Sequence, residues 1–155
     1  WTPRDLVTHA GWLVVDAIEA CGDLDSYRHY IESSKAEWSV AKNAYVLGQP
    51  GWFSERSACY LAAGRPVVVQ DTGFARVLPV GEGILSFETL PEAAAAICEI
   101  QANYTRHAQA ARAIAEAYFD SDKVLTHLID AAMSGTDRPI EATQRHTTSG
   151  VTPSS

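Results

Sequence analysis

At 155 residues the chain is long enough for one core, in which roughly two-thirds of the unfolded surface can be buried, so one compact domain is expected. Twelve Lys plus Arg stand against 19 Asp plus Glu, a formal charge of −7, with no basic cluster along the sequence; this excludes a phosphate-backbone patch, and no nucleic-acid partner is expected. No apolar run approaches the roughly 20 residues that span a bilayer, and Cys21, Cys59 and Cys98 are far apart without a Cys-x-x-Cys pair, which points to a reducing cytoplasm rather than a disulfide framework or structural zinc.

The start at Trp1-Thr2-Pro3-Arg4 shows neither a signal peptide nor an initiator methionine, so the chain reads as a piece cut from something longer. Gly11 precedes the apolar run Trp12-Leu13-Val14-Val15, which reads as a strand. Asp23 or Asp25 can cap a short helix with Leu24, Tyr27, Tyr30 and Ile31 on one face, closed by Ser33-Ser34-Lys35. The polar and apolar alternation of Glu37 to Lys42 reads as a half-buried strand with Trp38 and Val40 on one side. Asn43, Gly48, Pro50 and Gly51 then mark a loop.

Ser54 opens the next helix as an N-cap, with Ala58, Leu61 and Ala62 at helical spacing. Gly64 tolerates the left-handed backbone that closes a helix, and Pro66 cannot continue one. Val67-Val68-Val69 is an unbroken β-branched run, suited to a strand covered on both faces of a parallel sheet. A linker from Phe74 to Pro79 leads to a strand at Ile84-Leu85-Ser86-Phe87, after which Thr89 and Glu92 have capping-box spacing. A stripe follows at Ala93, Ile97, Ile100, Tyr104, Ala108, Ala111, Ala115 and Tyr118, on one long helix or two meeting near Tyr104 to His107, with His107 beside it on the helix surface. Ser121 or Asp120 caps a last helix with Val124, Leu125, Leu128 and Ile129 facing inward. Residues 135–155, rich in Thr, Ser and Pro, bury too little to order themselves and read as a flexible tail after a domain of residues 1–134.

The alternation of helix and strand gives an α/β fold: a partial Rossmann-like, mostly parallel sheet of about four strands flanked by helices, with a long C-terminal helical segment. In such sheets ligands bind beyond the carboxyl ends of the strands, which directs attention to the loop Asp71-Thr72-Gly73-Phe74. Ser54 and Arg56 begin a helix, where unpaired N–H groups and the dipole favour an anion, and the Arg56 guanidinium can hold phosphate oxygens bidentately. The plain alternative is a simple serine cap with Arg56 paired to a carboxylate. Lys42, at a strand end, can meet a phosphate at the same sheet edge or be a solvated lysine. The five histidines are scattered, and spacing gives no metal site.

Tyr60-Leu61-Ala62-Ala63-Gly64-Arg65-Pro66, the valine run, the Asp-Thr-Gly loop and the later Gly81-Glu82-Gly83-Ile84-Leu85 together resemble the C-terminal, donor-binding domain of GT-B glycosyltransferases, over about Gly11 to Leu128. Glu37-Trp38-Ser39-Val40-Ala41-Lys42 and Gly51-Trp52-Phe53-Ser54 are similar to segments that occur in this order in a bacterial group of such transferases. The resemblance implies the C-terminal portion of an enzyme moving a sugar from a nucleotide-sugar donor to an acceptor hydroxyl. Donor-binding residues would be Lys42, Ser54, Arg56, Asp71, Thr72, Gly73 and Phe74. No metal or other cofactor is implied. The acceptor domain, with the general base, lies upstream of Trp1 in this picture, so no catalytic residue is assigned and the chain alone is expected to be inactive. With its missing half removed, the chain is expected to form a homodimer. Where many such enzymes carry two glutamates, this chain has Gly51 and Cys59. That departure favours the alternative, a non-catalytic α/β module binding a nucleotide or a protein.

Overall fold

The computed structural model describes residues 4–134. In chain order the elements are α1 (Arg4–His9), α2 (Ala17–Cys21), α3 (Leu24–Ser33), β1 (Glu37–Ser39), α4 (Asn43–Gly48), α5 (Glu55–Ala62), β2 (Val67–Gln70), a 3-10 turn (Phe74–Arg76), β3 (Ile84–Phe87), α6 (Leu90–Ala102), α7 (Tyr104–Tyr118) and α8 (Ser121–Ser134). The expected flexible tail at 135–155 lies outside the described residues.

The three strands form one parallel sheet in the order β1-β2-β3, with Val68 between Trp38 and Leu85. The β-branched run takes the middle place, where both faces are covered. Val67, Val68 and Val69 are all buried, and each is worth about 1.5–3 kcal/mol relative to exposure. Val67, Val69 and Ile84 face a core built with Ile31 of α3, Tyr60 and Leu61 of α5, Phe74, Leu78, and Ala111 and Ile114 of α7. Val68, Leu85 and Phe87 face Ala93, Ala96 and Ile100 of α6.

Local chemistry sets most boundaries. Asp23, not Asp25, caps α3, its carboxylate accepting from the Ser26 N–H while the Ser26 hydroxyl accepts from the Asp23 N–H. The bond from the Ser26 N–H is the main reason the Asp23 carboxyl lies below its ordinary pKa. Helix α5 ends in a Schellman turn: Gly64 N–H donates to the Leu61 carbonyl and Arg65 N–H to the Tyr60 carbonyl, with Gly64 at φ +67°. The Glu92 carboxylate accepts from the Glu88 and Thr89 N–H groups at the start of α6. Asp120, rather than Ser121, accepts from the first turn of α8. The long stripe breaks at Asn103 into two helices that pack on opposite faces of the sheet.

Five expectations are corrected. Trp12 to Val15 is not a strand, so the sheet has three strands and not four; the segment lies beside the β1 edge, with Trp12 against Trp38 at 6.2 Å between ring centroids. Residues 43–48, read as a loop, form α4. On β1 the expected sides are reversed: Glu37 is buried while Trp38 and Val40 are partly exposed, because Arg56 compensates the carboxylate and the Trp38 indole stacks on Phe87 at the sheet edge. The apolar residues of α8, expected inward, are exposed.

His107 is not on the surface but fully buried. Its Nδ1 accepts from the Gly83 N–H at 3.3 Å, leaving the ring proton on Nε2, which is 3.5 Å from Glu99 Oε1. Arg106 also pairs with Glu99, at 2.5 Å. The loop Gly81 to Gly83 crosses α7 at this place and covers the imidazole. Among the described residues no helix is long and apolar enough to cross a membrane.

Candidate functional site

The carboxyl ends of the strands carry the loops the sequence singles out. Gln70, the last residue of β2, accepts the Ala41 N–H on its side-chain oxygen at 3.2 Å, holding the segment after β1 against it. On the other side the Asp71 N–H donates to the Phe87 carbonyl at 2.9 Å. The Asp71 carboxylate then accepts from the Gly73 N–H at 3.2 Å, a short side-chain turn that sends the chain back on itself. Gly73 sits at φ +89°, and a Cβ there would lie 3.0 Å from the Gln49 carbonyl oxygen, so both conformation and space ask for glycine. Phe74 is buried and meets Phe53 edge to face at 5.3 Å.

That loop is bound to the segment before α5. The Gly51 N–H donates to the Thr72 carbonyl at 2.7 Å, and the Thr72 hydroxyl donates to the Trp52 carbonyl at 2.5 Å. Arg76 adds a bond from its guanidinium to the Gln49 carbonyl at 3.3 Å. Trp52 stacks on Tyr45 of α4, 5.1 Å between centroids. The Thr72 hydroxyl, expected at a ligand, is thereby fully buried and committed to the fold.

Ser54 takes the N-cap position of α5, but its hydroxyl makes no cap bond. The first-turn N–H groups, which lack carbonyl partners within a helix, are therefore not satisfied by it. Ser54, Ser57, Ser39, Gln70, Trp52 and Phe74 enclose a cavity of about 10 Å³. Ser57, one turn into α5, is fully buried, and its hydroxyl has no hydrogen-bond partner among the described residues. Sequence reasoning passed over Ser57. The signal was legible: Ser54 and Ser57 are three residues apart, so they share the face of the first turn that meets the sheet.

Arg56 does not join this group. Its Nε donates to Glu37 Oε1 at 2.7 Å, and Glu37 is the first residue of β1, about 10 Å in strand rise from the residues at the carboxyl end. This bond is the main reason the guanidinium is held protonated even more firmly than usual. The second Glu37 oxygen is buried without a partner among the described residues. Tyr60 and Tyr27 border the pair, and burial raises both phenols above their ordinary pKa. Lys42 stands at the N-cap position of α4, exposed, on the segment that follows β1.

The structure thus brings Ser54, Ser57 and the Asp71–Phe74 loop to one end of the sheet, places Lys42 on the neighbouring strand extension, and turns Arg56 toward the other end. The arrangement offers donors to an anion and a carboxylate to hydroxyl groups. Among the described residues no group of three or more His, Cys, Asp or Glu side chains is placed to hold a metal ion. A scan against protein-family models, a search of curated proteins and a search of solved structures each find no match to this chain.

Proposed function

We propose that this chain is the C-terminal, donor-binding portion of a GT-B glycosyltransferase, holding a nucleotide-sugar donor for transfer to an acceptor hydroxyl. One observation carries the reading: in a parallel α/β unit, the polar loop after the central strand lies against the uncapped N-terminus of α5. Helix N–H groups and the Ser54 and Ser57 hydroxyls would meet the diphosphate, with Lys42 as a mobile point charge beside it. The Asp71 carboxylate repels phosphate and accepts from hydroxyls, so it suits ribose or sugar. Arg56 reaches a phosphate only by leaving Glu37. The acceptor domain, supplied upstream, would carry the general base and complete the cleft, and the cytoplasm, where nucleotide sugars are used, would be the compartment.

A second reading is kept by a specific observation. The Thr72 hydroxyl and the Arg56 Nε each donate to a partner within the fold, as befits an α/β module that binds a nucleotide or a protein without chemistry. Calorimetric titration with a panel of nucleoside diphosphates and nucleotide sugars, alongside amide chemical-shift mapping, separates the two. The donor reading expects binding that perturbs Lys42, Ser54, Ser57 and Asp71 to Phe74. No heat and no shift at millimolar ligand removes it, and binding without donor turnover in the full-length protein favours the module.

A further inference from the structure

We propose that Pro50 to Trp52 form a strap that is latched shut over the α5 N-terminus by Thr72 and must open before an anion can bind there; this rests on the donor reading above. The cavity behind the strap is about 10 Å³, no more than the roughly 10–15 Å³ that one water molecule needs. No diphosphate enters it as it stands. Yet the wall is of the kind an oxyanion uses: first-turn N–H groups without a side-chain cap, and the Ser57 hydroxyl, fully buried with no partner among the described residues. A buried hydroxyl left unpaired is destabilising, and an arriving oxyanion would relieve it.

What closes the wall is a short, identifiable set of bonds. Thr72 is gripped from both sides, its carbonyl taking the Gly51 N–H and its hydroxyl reaching the Trp52 carbonyl. Phe53, next in the chain, is fixed between Phe74 and Phe119 at 5.3 and 5.7 Å, so motion ends there and α5 stays in place. Gly51 at φ +79° is a glycine, whose backbone turns between conformations without a Cβ penalty. The Trp52 ring, 42% exposed, is held on its outer side by Tyr45 alone among the aromatic residues described. Opening therefore breaks two hydrogen bonds and one ring stack and leaves the core packing alone.

Inorganic pyrophosphate is the probe. Because apparent affinity scales with the fraction of open molecules, Thr72→Val, which keeps the shape and loses the hydroxyl, is expected to bind pyrophosphate about two- to tenfold more tightly than the wild type, while Thr72→Ser restores the wild-type value. Hydrogen exchange on the wild-type chain gives a second reading that no substitution can spoil. Pyrophosphate is expected to speed exchange of the Gly51 amide, whose bond to Thr72 is lost on opening, and to slow exchange of the Arg56 and Ser57 amides. Equal or weaker binding by Thr72→Val, or a Gly51 amide protected further by pyrophosphate, overturns the strap while leaving the anion site in place. Failure of pyrophosphate to bind either protein overturns the strap and the donor reading together.

Discussion

Replacing Arg56 by methionine should destabilise the fold without weakening an anion at the α5 N-terminus. The side chain is committed to Glu37, which is 5% exposed and already has one oxygen without a partner. Taking away the guanidinium leaves both oxygens unpaired. Removing one member of a fully buried pair costs about 3–5 kcal/mol. Here the Arg56 side chain is 49% exposed, so water can approach the vacated side, and the cost falls to about 2 kcal/mol once that screening is allowed for. With a urea slope of about 2 kcal/mol/M, this moves the unfolding midpoint down by about 1 M. Glu37→Met leaves the guanidinium free to turn into solvent, so it should cost less, about 1 kcal/mol or under. The double variant puts one buried and one half-exposed methionine in place of the ion pair and should recover at least half of the Arg56→Met loss, since such replacements are often near neutral. Urea titrations of the four proteins, followed by far-UV circular dichroism, measure all of this. A Glu37→Met loss as large as that of Arg56→Met, or a double variant no better than Arg56→Met, would refute the claim that an orphaned carboxylate drives the effect. An Arg56→Met protein that has lost pyrophosphate affinity would show that Arg56 leaves Glu37 to meet the ligand.

Gly83→Ala should cost about 2–5 kcal/mol, because a Cβ would lie 2.6 Å from the Ala111 backbone nitrogen at a residue with φ +75°; Gly81→Ala, strained but with nothing within 4 Å, is its control, and equal midpoints for the two would discredit the close approach of loop and α7. Glu92→Gln should lower stability at neutral pH and lose its effect in acid. The Glu92 carboxyl is held below its ordinary value by the Glu88 and Thr89 N–H groups, so its contribution is present above about pH 4.5 and fades as the pH falls through the lowered pKa; the gap between thermal melts of the two proteins should narrow as the pH is lowered from about 7 to about 3, and a gap of constant size contradicts the assignment. The purified chain should self-associate through the exposed Trp12, Leu13, Leu128 and Ile129, with light scattering showing a rise toward dimer mass as concentration increases; a constant monomer mass would count against it.

Where a boundary depends on a few neighbouring residues, it was legible in the sequence. Gly64 followed by Pro66, the Glu92 carboxylate near Thr89 and the valine run each act within one turn or one strand, so chain order alone brings their partners together. The candidate loop Asp71 to Phe74 was legible for a related reason: a buried parallel strand has a carboxyl end, and whatever follows it lies at the sheet edge. Periodicity also found the stripe from Ala93 to Tyr118, though not that the break at Asn103 sends its halves to opposite faces.

What only tertiary structure decided is which surface each pattern meets. Trp12 to Val15 has the composition of a strand, but a strand exists only when a neighbour accepts its hydrogen bonds, and none does among the described residues. The apolar stripe of α8 is equally real in the sequence and stays exposed. Glu37 and Arg56 are 19 residues apart, so nothing local announces that one neutralises the other or that Arg56 turns away from the strand ends. Thr72 and Trp52, 20 apart, are the same case. A polar side chain's type states how many hydrogen bonds it can make; only the folded chain, by bringing distant donors and acceptors within about 3 Å, decides which are spent on the fold and which, like the Ser57 hydroxyl, are left over.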